Sequence, residues 1–214
     1  MRTSRLEAFS DGVLAIIITI MVLELHAPDG KDLGALLHTA GIGLLSYLLS
    51  FVYVGIYWAN HHHMFQLTRL VTGGVLWANL ALLFCLSLFP FTTQWVDATL
   101  WSRTPVVVYG LNLLAAAIAY YILQTVIIRT QGKDSPLRTA IGRDLKGKVS
   151  PAFYIVGCVA ALVGGGGTGA RPGMWVAVAC YVAVALMWVI PDRRIETAIT
   201  AELVPEHDQS GEHD

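Results

Sequence analysis

Long apolar runs separated by short polar stretches dominate the chain from its first residues to Ile190. A helix needs about 20 mostly apolar residues to cross roughly 30 Å of hydrocarbon. Six runs approach that length: Leu6 to Leu25, Leu33 to Trp58, Leu70 to Trp95, Pro105 to Ile128, Val149 to Val163 and Gly173 to Ile190. The fifth is the shortest, and Gly164 to Gly167 would extend it. The pattern predicts an all-α, polytopic membrane protein with six transmembrane helices. Residues 1–195 are expected to form that domain. Residues 196–214, acidic and polar with few aromatics, are expected to be a disordered tail.

The first run is not expected to be a cleaved leader. Glu7 and Asp11 interrupt the place where a leader's apolar stretch begins, and no small-x-small cleavage site precedes Pro28. Lysine and arginine set the orientation. With six spans both termini share one side, which holds 11 of the 14 basic residues, including the loop from Arg129 to Lys148. Lys31, Arg103 and Arg171 fall on the other side. Both termini are therefore expected in the cytoplasm, in a multi-pass protein of the cell membrane.

Composition agrees with this reading. Of 214 residues, 55% are hydrophobic and only 14% charged, against about a quarter charged in soluble domains. Mean hydropathy is +0.60. A net charge of −1 excludes a nucleic-acid binder driven by charge and suggests no soluble partner. Cys85, Cys158 and Cys180 are an odd, scattered set inside apolar runs, unsuited to a disulfide framework or a zinc site.

The first helix carries the unusual chemistry. Ionisable groups in or near a span are costly and usually face protein or water. Asp11 lies one to two turns inside the run, after Arg5 and Glu7. Between Asp11 and Glu24 the only strongly polar side chain is Thr19. At about 100° per residue, Gly12, Ile16, Thr19, Ile20 and Leu23 share one stripe. Thr19 either bonds back to the carbonyl one turn earlier or, repeated round an axis, offers oxygens to an ion; one chain leaves both open. His61, His62 and His63 are expected to end the second helix. Adjacent histidines diverge and do not share a metal unaided, so a polar helix end bonding its neighbours is favoured. Trp77 reads as an interface anchor, and Asn79 as a side chain seeking a partner across helices.

Two patterns fail on context. Gly164, Gly166 and Gly169 fit a G-x-G-x-x-G spacing, but no strand precedes them. Val107-Val108-Tyr109-Gly110 faintly echoes a potassium filter, but it lacks the threonine and first glycine and lies within a predicted helix.

Arg5-x-x-x-Phe9-Ser10-Asp11 resembles the R-x-x-x-F-S-D signature of the transmembrane protein 175 family of potassium-permeable channels. The resemblance continues in Trp58-Ala59-Asn60-His61-His62 and Phe65, then in Trp77-x-Asn79-Leu80 and Pro90-Phe91-Thr92. It implies a six-helix subunit and, with one repeat per chain, a homotetramer whose first helices line a central pore. By spacing from Asp11 it implies an apolar constriction at Ile16, a polar layer at Thr19 and further apolar layers at Ile20 and Leu23. Those are the residues of the geometric stripe. It also implies that Arg5, Ser10 and Asp11 bond towards His61, His62, Trp77 and Asn79, with Phe9 completing the signature. Potassium would be the permeant ion, with no cofactor, no resident metal and no enzymatic activity. Selectivity is expected to be weaker than in channels with a glycine-rich filter, which this chain lacks. The competing readings are an intramembrane metal-dependent enzyme or carrier using His61, His62 and His63 with Asp11, a secondary transporter, and a structural protein whose stripe is only a packing seam.

Overall fold

The computed structural model describes residues 3–27, 30–133, 135–141, 145–164 and 172–189, except the side chains of 38, 39 and 42. The expected acidic tail, Arg143 of the basic loop, and Gly166 and Gly169 of the glycine pattern lie outside them. Eight helices are described: α1 (Thr3–Leu23), α2 (Leu33–Gln66), α3 (Gly73–Ser87), α4 (Phe89–Ala98), α5 (Arg103–Gln131), α6 (Pro136–Ile141), α7 (Leu145–Gly164) and α8 (Pro172–Val189). They supply six segments long and apolar enough to cross a membrane: Thr3–Leu23, Gly43–Gln66, Gly73–Ala98, Arg103–Gln131, Leu145–Gly164 and Pro172–Val189.

Three departures from the expected spans have a local reason. The third span is two helices with a break at Leu88. Pro90 sits in the first turn of α4, where its missing N–H costs little, whereas inside one continuous helix its ring would meet the carbonyl one turn earlier. Leu88 keeps near-helical angles, φ −82 and ψ −8. The Thr92 N–H and hydroxyl both donate to its carbonyl at 3.0 Å, so the span kinks without reversing. The fifth span gains length at its start, at Leu145, with Pro151 inside the helix. The second helix runs past the histidines to Gln66, so His61, His62 and His63 occupy its last turns and can bond sideways.

Caps account for several ends. Asp32 accepts from the Ala35 N–H at 2.7 Å at the start of α2, and Thr72 accepts from the Val75 N–H at the start of α3. Each satisfies a donor that the helix leaves free.

The helices pack as α7 against α5 and α8, α3 against α5, and α1 against α2, α3 and α4. The centre is aromatic. Tyr53 neighbours Phe89 and Tyr154, and Tyr181 neighbours Tyr109 and Tyr154. Hydroxyls buried this deeply need partners. Tyr53 donates to the Tyr181 carbonyl at 2.6 Å. The Ser50 hydroxyl lies 2.7 Å from Thr93 Oγ1 and 3.0 Å from the Tyr109 hydroxyl. Gly157 lets the Tyr181 ring close on α7: a Cβ there would stand 2.6 Å from the ring. This interior sets α2 and α3 as a wall against which α1 lies.

A first helix with two faces, anchored by a polar cluster

α1 divides cleanly. Leu6, Ser10, Leu14, Ile17 and Met21 are buried, at spacings of four, four, three and four, so they form one seam against the bundle. The opposite face is open within the chain. Ile16 is 58% exposed, Ile20 42% and Leu23 80%, and Gly12 and Thr19 are exposed between them. The sequence-derived stripe is thus the side of α1 turned away from its own subunit. Thr19 donates to the Ile16 carbonyl at 2.9 Å. That bond uses the proton and leaves the oxygen's lone pairs available on the open side.

The N-terminal half of α1 is anchored through polar side chains. Ser10 donates to the Leu6 carbonyl at 2.9 Å and accepts from the Asn79 amide of α3 at 3.0 Å. Asn79 Oδ1 lies 2.8 Å from His61 Nε2 of α2. An amide oxygen only accepts, so His61 carries its proton on Nε2 and donates. Its Nδ1 is buried with no hydrogen-bond partner among the described residues. The His61 ring stacks on Phe65 with centroids 4.4 Å apart. Ser10, Asn79 and His61 are each at most 1% exposed, so three helices meet in one dry relay.

A second set lies at the same end. Glu7 Oε1 is 2.6 Å from His62 Nδ1, and the Gln66 amide donates to His62 Nε2 at 2.9 Å. Since that nitrogen accepts, Nδ1 holds the proton given to Glu7. The Trp58 indole N–H donates to Asp11 Oδ1 at 3.1 Å, and the Trp58 ring is stacked against His62, centroids 6.4 Å apart.

The structure therefore joins Ser10, His61 and Asn79 directly. It gives His62 to Glu7, and Asp11 to Trp58. Arg5 is exposed, and neither a hydrogen bond nor an ion pair holds it among the described residues. Phe9 is 52% exposed and Trp77 75% exposed; the two stand apart from the relay. Sequence reasoning missed Glu7, Trp58 and Gln66 as partners. The available signal was the spacing Trp58, His62, Gln66, one side chain per turn of α2.

Among the described residues no group of three or more His, Cys, Asp and Glu side chains is placed to hold a metal ion. The Nε2 of His61 and both ring nitrogens of His62 are engaged by neighbours.

Comparison with known proteins gives the family. A family model described as "Endosomal/lysosomal potassium channel TMEM175" matches residues 5–90. A potassium channel of Chryseobacterium sp. (strain P1-3) is 48% identical over 199 residues, covering 93% of this chain and 98% of that protein. A potassium channel of Streptomyces collinus is 33% identical over 135 residues, 60% of this chain and 66% of the relative. The crystal structure of a lysosomal potassium-selective channel TMEM175 homolog from Chamaesiphon minutus superposes with a TM-score of 0.71 at 27% identity, covering 90% of this chain and 97% of that one. These relatives are channels and not enzymes. On this likeness over nearly its whole length, the chain is a multi-pass membrane protein that belongs to the TMEM175 family of potassium channels.

Proposed function

We propose that four copies of this chain assemble round an axis lined by α1 and conduct potassium across the cell membrane, with both termini in the cytoplasm. The observation that carries this reading is the two-faced character of α1. Its buried seam is spent on its own subunit, while Gly12, Ile16, Thr19, Ile20 and Leu23 are left open. The names of the bacterial relatives support the ion, and the surplus of basic residues on one side supports the orientation.

In this arrangement Ile16, Ile20 and Leu23 form apolar rings that narrow the pore. Water is poorly held in an apolar neck, and an ion there loses hydration with no oxygen to replace it. Thr19 supplies one ring of hydroxyl oxygens between Ile16 and Ile20. One ring offers fewer oxygens than a carbonyl filter, so selectivity for potassium over sodium is modest. Glu24, at the far end of the stripe, biases that mouth towards cations, while the Asp11 carboxylate is taken up by the Trp58 indole. Glu7, Ser10 and Asp11 hold the helix at its angle through α2 and α3.

The test is planar-bilayer recording of purified protein under opposed potassium and sodium gradients. A reversal potential displaced towards the potassium equilibrium value is expected. Electrically silent flux, or equal permeability to anions, would overturn the reading.

A further inference from the structure

Behind α2, on the side away from α1, a cavity with about 40 Å³ of space for small molecules lies between α2, α5, α7 and α8. Tyr57, Asn60, Tyr120, Gln124, Ser150 and Trp188 are among its walls. Gln124 is only 6% exposed, and its Oε1 is buried with no hydrogen-bond partner among the described residues. A buried amide oxygen without a donor is costly. Several donors on the wall point elsewhere. Trp188 donates to Ser150 at 2.8 Å and Ser150 to the Lys146 carbonyl at 2.7 Å. Asn60 donates to the Ile56 carbonyl at 2.8 Å, and Tyr120 to the Asn60 carbonyl at 3.3 Å.

We propose that this cavity is a binding site for a small neutral O–H donor, water or a short-chain alcohol, held on the Gln124 side-chain oxygen. The free acceptor selects a donor. Among the described residues the wall contains no carboxylate, lysine or arginine, which selects a neutral one. Each water needs roughly 10–15 Å³ of such space, so the site takes about three waters or one ligand of similar size. Its position gives the site a consequence. Tyr57 and Asn60 line the cavity, while Trp58, His61 and His62 on the same turns bond to α1 and α3. An occupant therefore bears on the stretch of α2 that grips α1.

Two substitutions read occupancy through the sign of a melting shift in the purified full-length protein. Gln124→Leu removes the acceptor. If the cavity is dry, the change relieves an orphaned oxygen and raises the melting temperature; if it is occupied, the occupant loses its acceptor and the melting temperature stays level or falls. Ala117→Val narrows the same cavity with Gln124 intact, and serves if Gln124→Leu does not fold. Filling a dry space should stabilise, whereas expelling an occupant should destabilise. We expect neither variant to melt above the parent; a rise of at least about 2 °C in either overturns the proposal. Titration with 1-propanol separates the two sources. A larger upward shift in the parent than in the variants assigns the site to alcohols as well as water; equal shifts assign it to water alone.

Discussion

Asn79 of α3 donates to the Ser10 hydroxyl of α1 at 3.0 Å, with both side chains fully buried. Through its oxygen the same amide accepts a hydrogen bond from the His61 Nε2–H at 2.8 Å. One neutral side chain thus ties the first helix to the second and third without placing a charge in the membrane. Asn79→Leu should leave the His61 N–H unpaired, a loss of about 1–3 kcal/mol. That corresponds to a fall of roughly 2–12 °C in melting temperature for a chain of this size. The double variant Asn79→Leu with His61→Phe should recover part of the loss, because both ends of the bond are then apolar. Additive losses in a thermal-melt cycle would show that the pair is not coupled.

Asp11 meets α2 through the Trp58 indole at 3.1 Å. Asp11→Ala leaves that N–H without its acceptor and loosens the entry of α1 into the bundle. The expected outcome is less tetramer in mild detergent, read by size-exclusion chromatography with light scattering, while unitary current in the assembled fraction is unchanged. Normal tetramer with altered conductance would place Asp11 in the ion path.

The spans, their order and the open stripe of α1 are legible in the sequence because each depends on local periodicity and on the length needed to cross hydrocarbon. The break at Leu88 is also local, being the ordinary effect of Pro90, yet mean hydropathy runs through it undisturbed. The pairings inside the polar cluster are a different matter. Glu7, Ser10 and Asp11 lie within two turns and all seek partners. Which of Trp58, His61 and His62 each one meets depends on the rotation of α2 against α1, and no local signal carries that angle. The exposure of Phe9 is illegible for the same reason, whereas that of Trp77 fits its reading as an interface anchor.

Thr19 already spends its proton on the Ile16 carbonyl, so only its lone pairs can serve an ion. Thr19→Val keeps the shape and removes those oxygens. The potassium-to-sodium permeability ratio should fall by about fivefold, the equivalent of about 1 kcal/mol, with the tetramer preserved. Bi-ionic reversal potentials measure this, and an unchanged ratio would retire Thr19 from selectivity.

The central claim is that the open face of α1 lines the ion path and narrows at Ile16. Ile16 is 58% exposed within the chain, while its neighbour Ile17 is 3% exposed in the seam. The most direct measurement compares potassium leak through Ile16→Asn and Ile17→Asn in proteoliposomes at matched tetramer content. An amide at Ile16 should hold water in the neck and raise the leak at least about tenfold, since even 1.4 kcal/mol off the barrier suffices. Ile17→Asn should instead lower the yield of folded protein without opening the path. A leak from Ile17→Asn and none from Ile16→Asn would contradict the account.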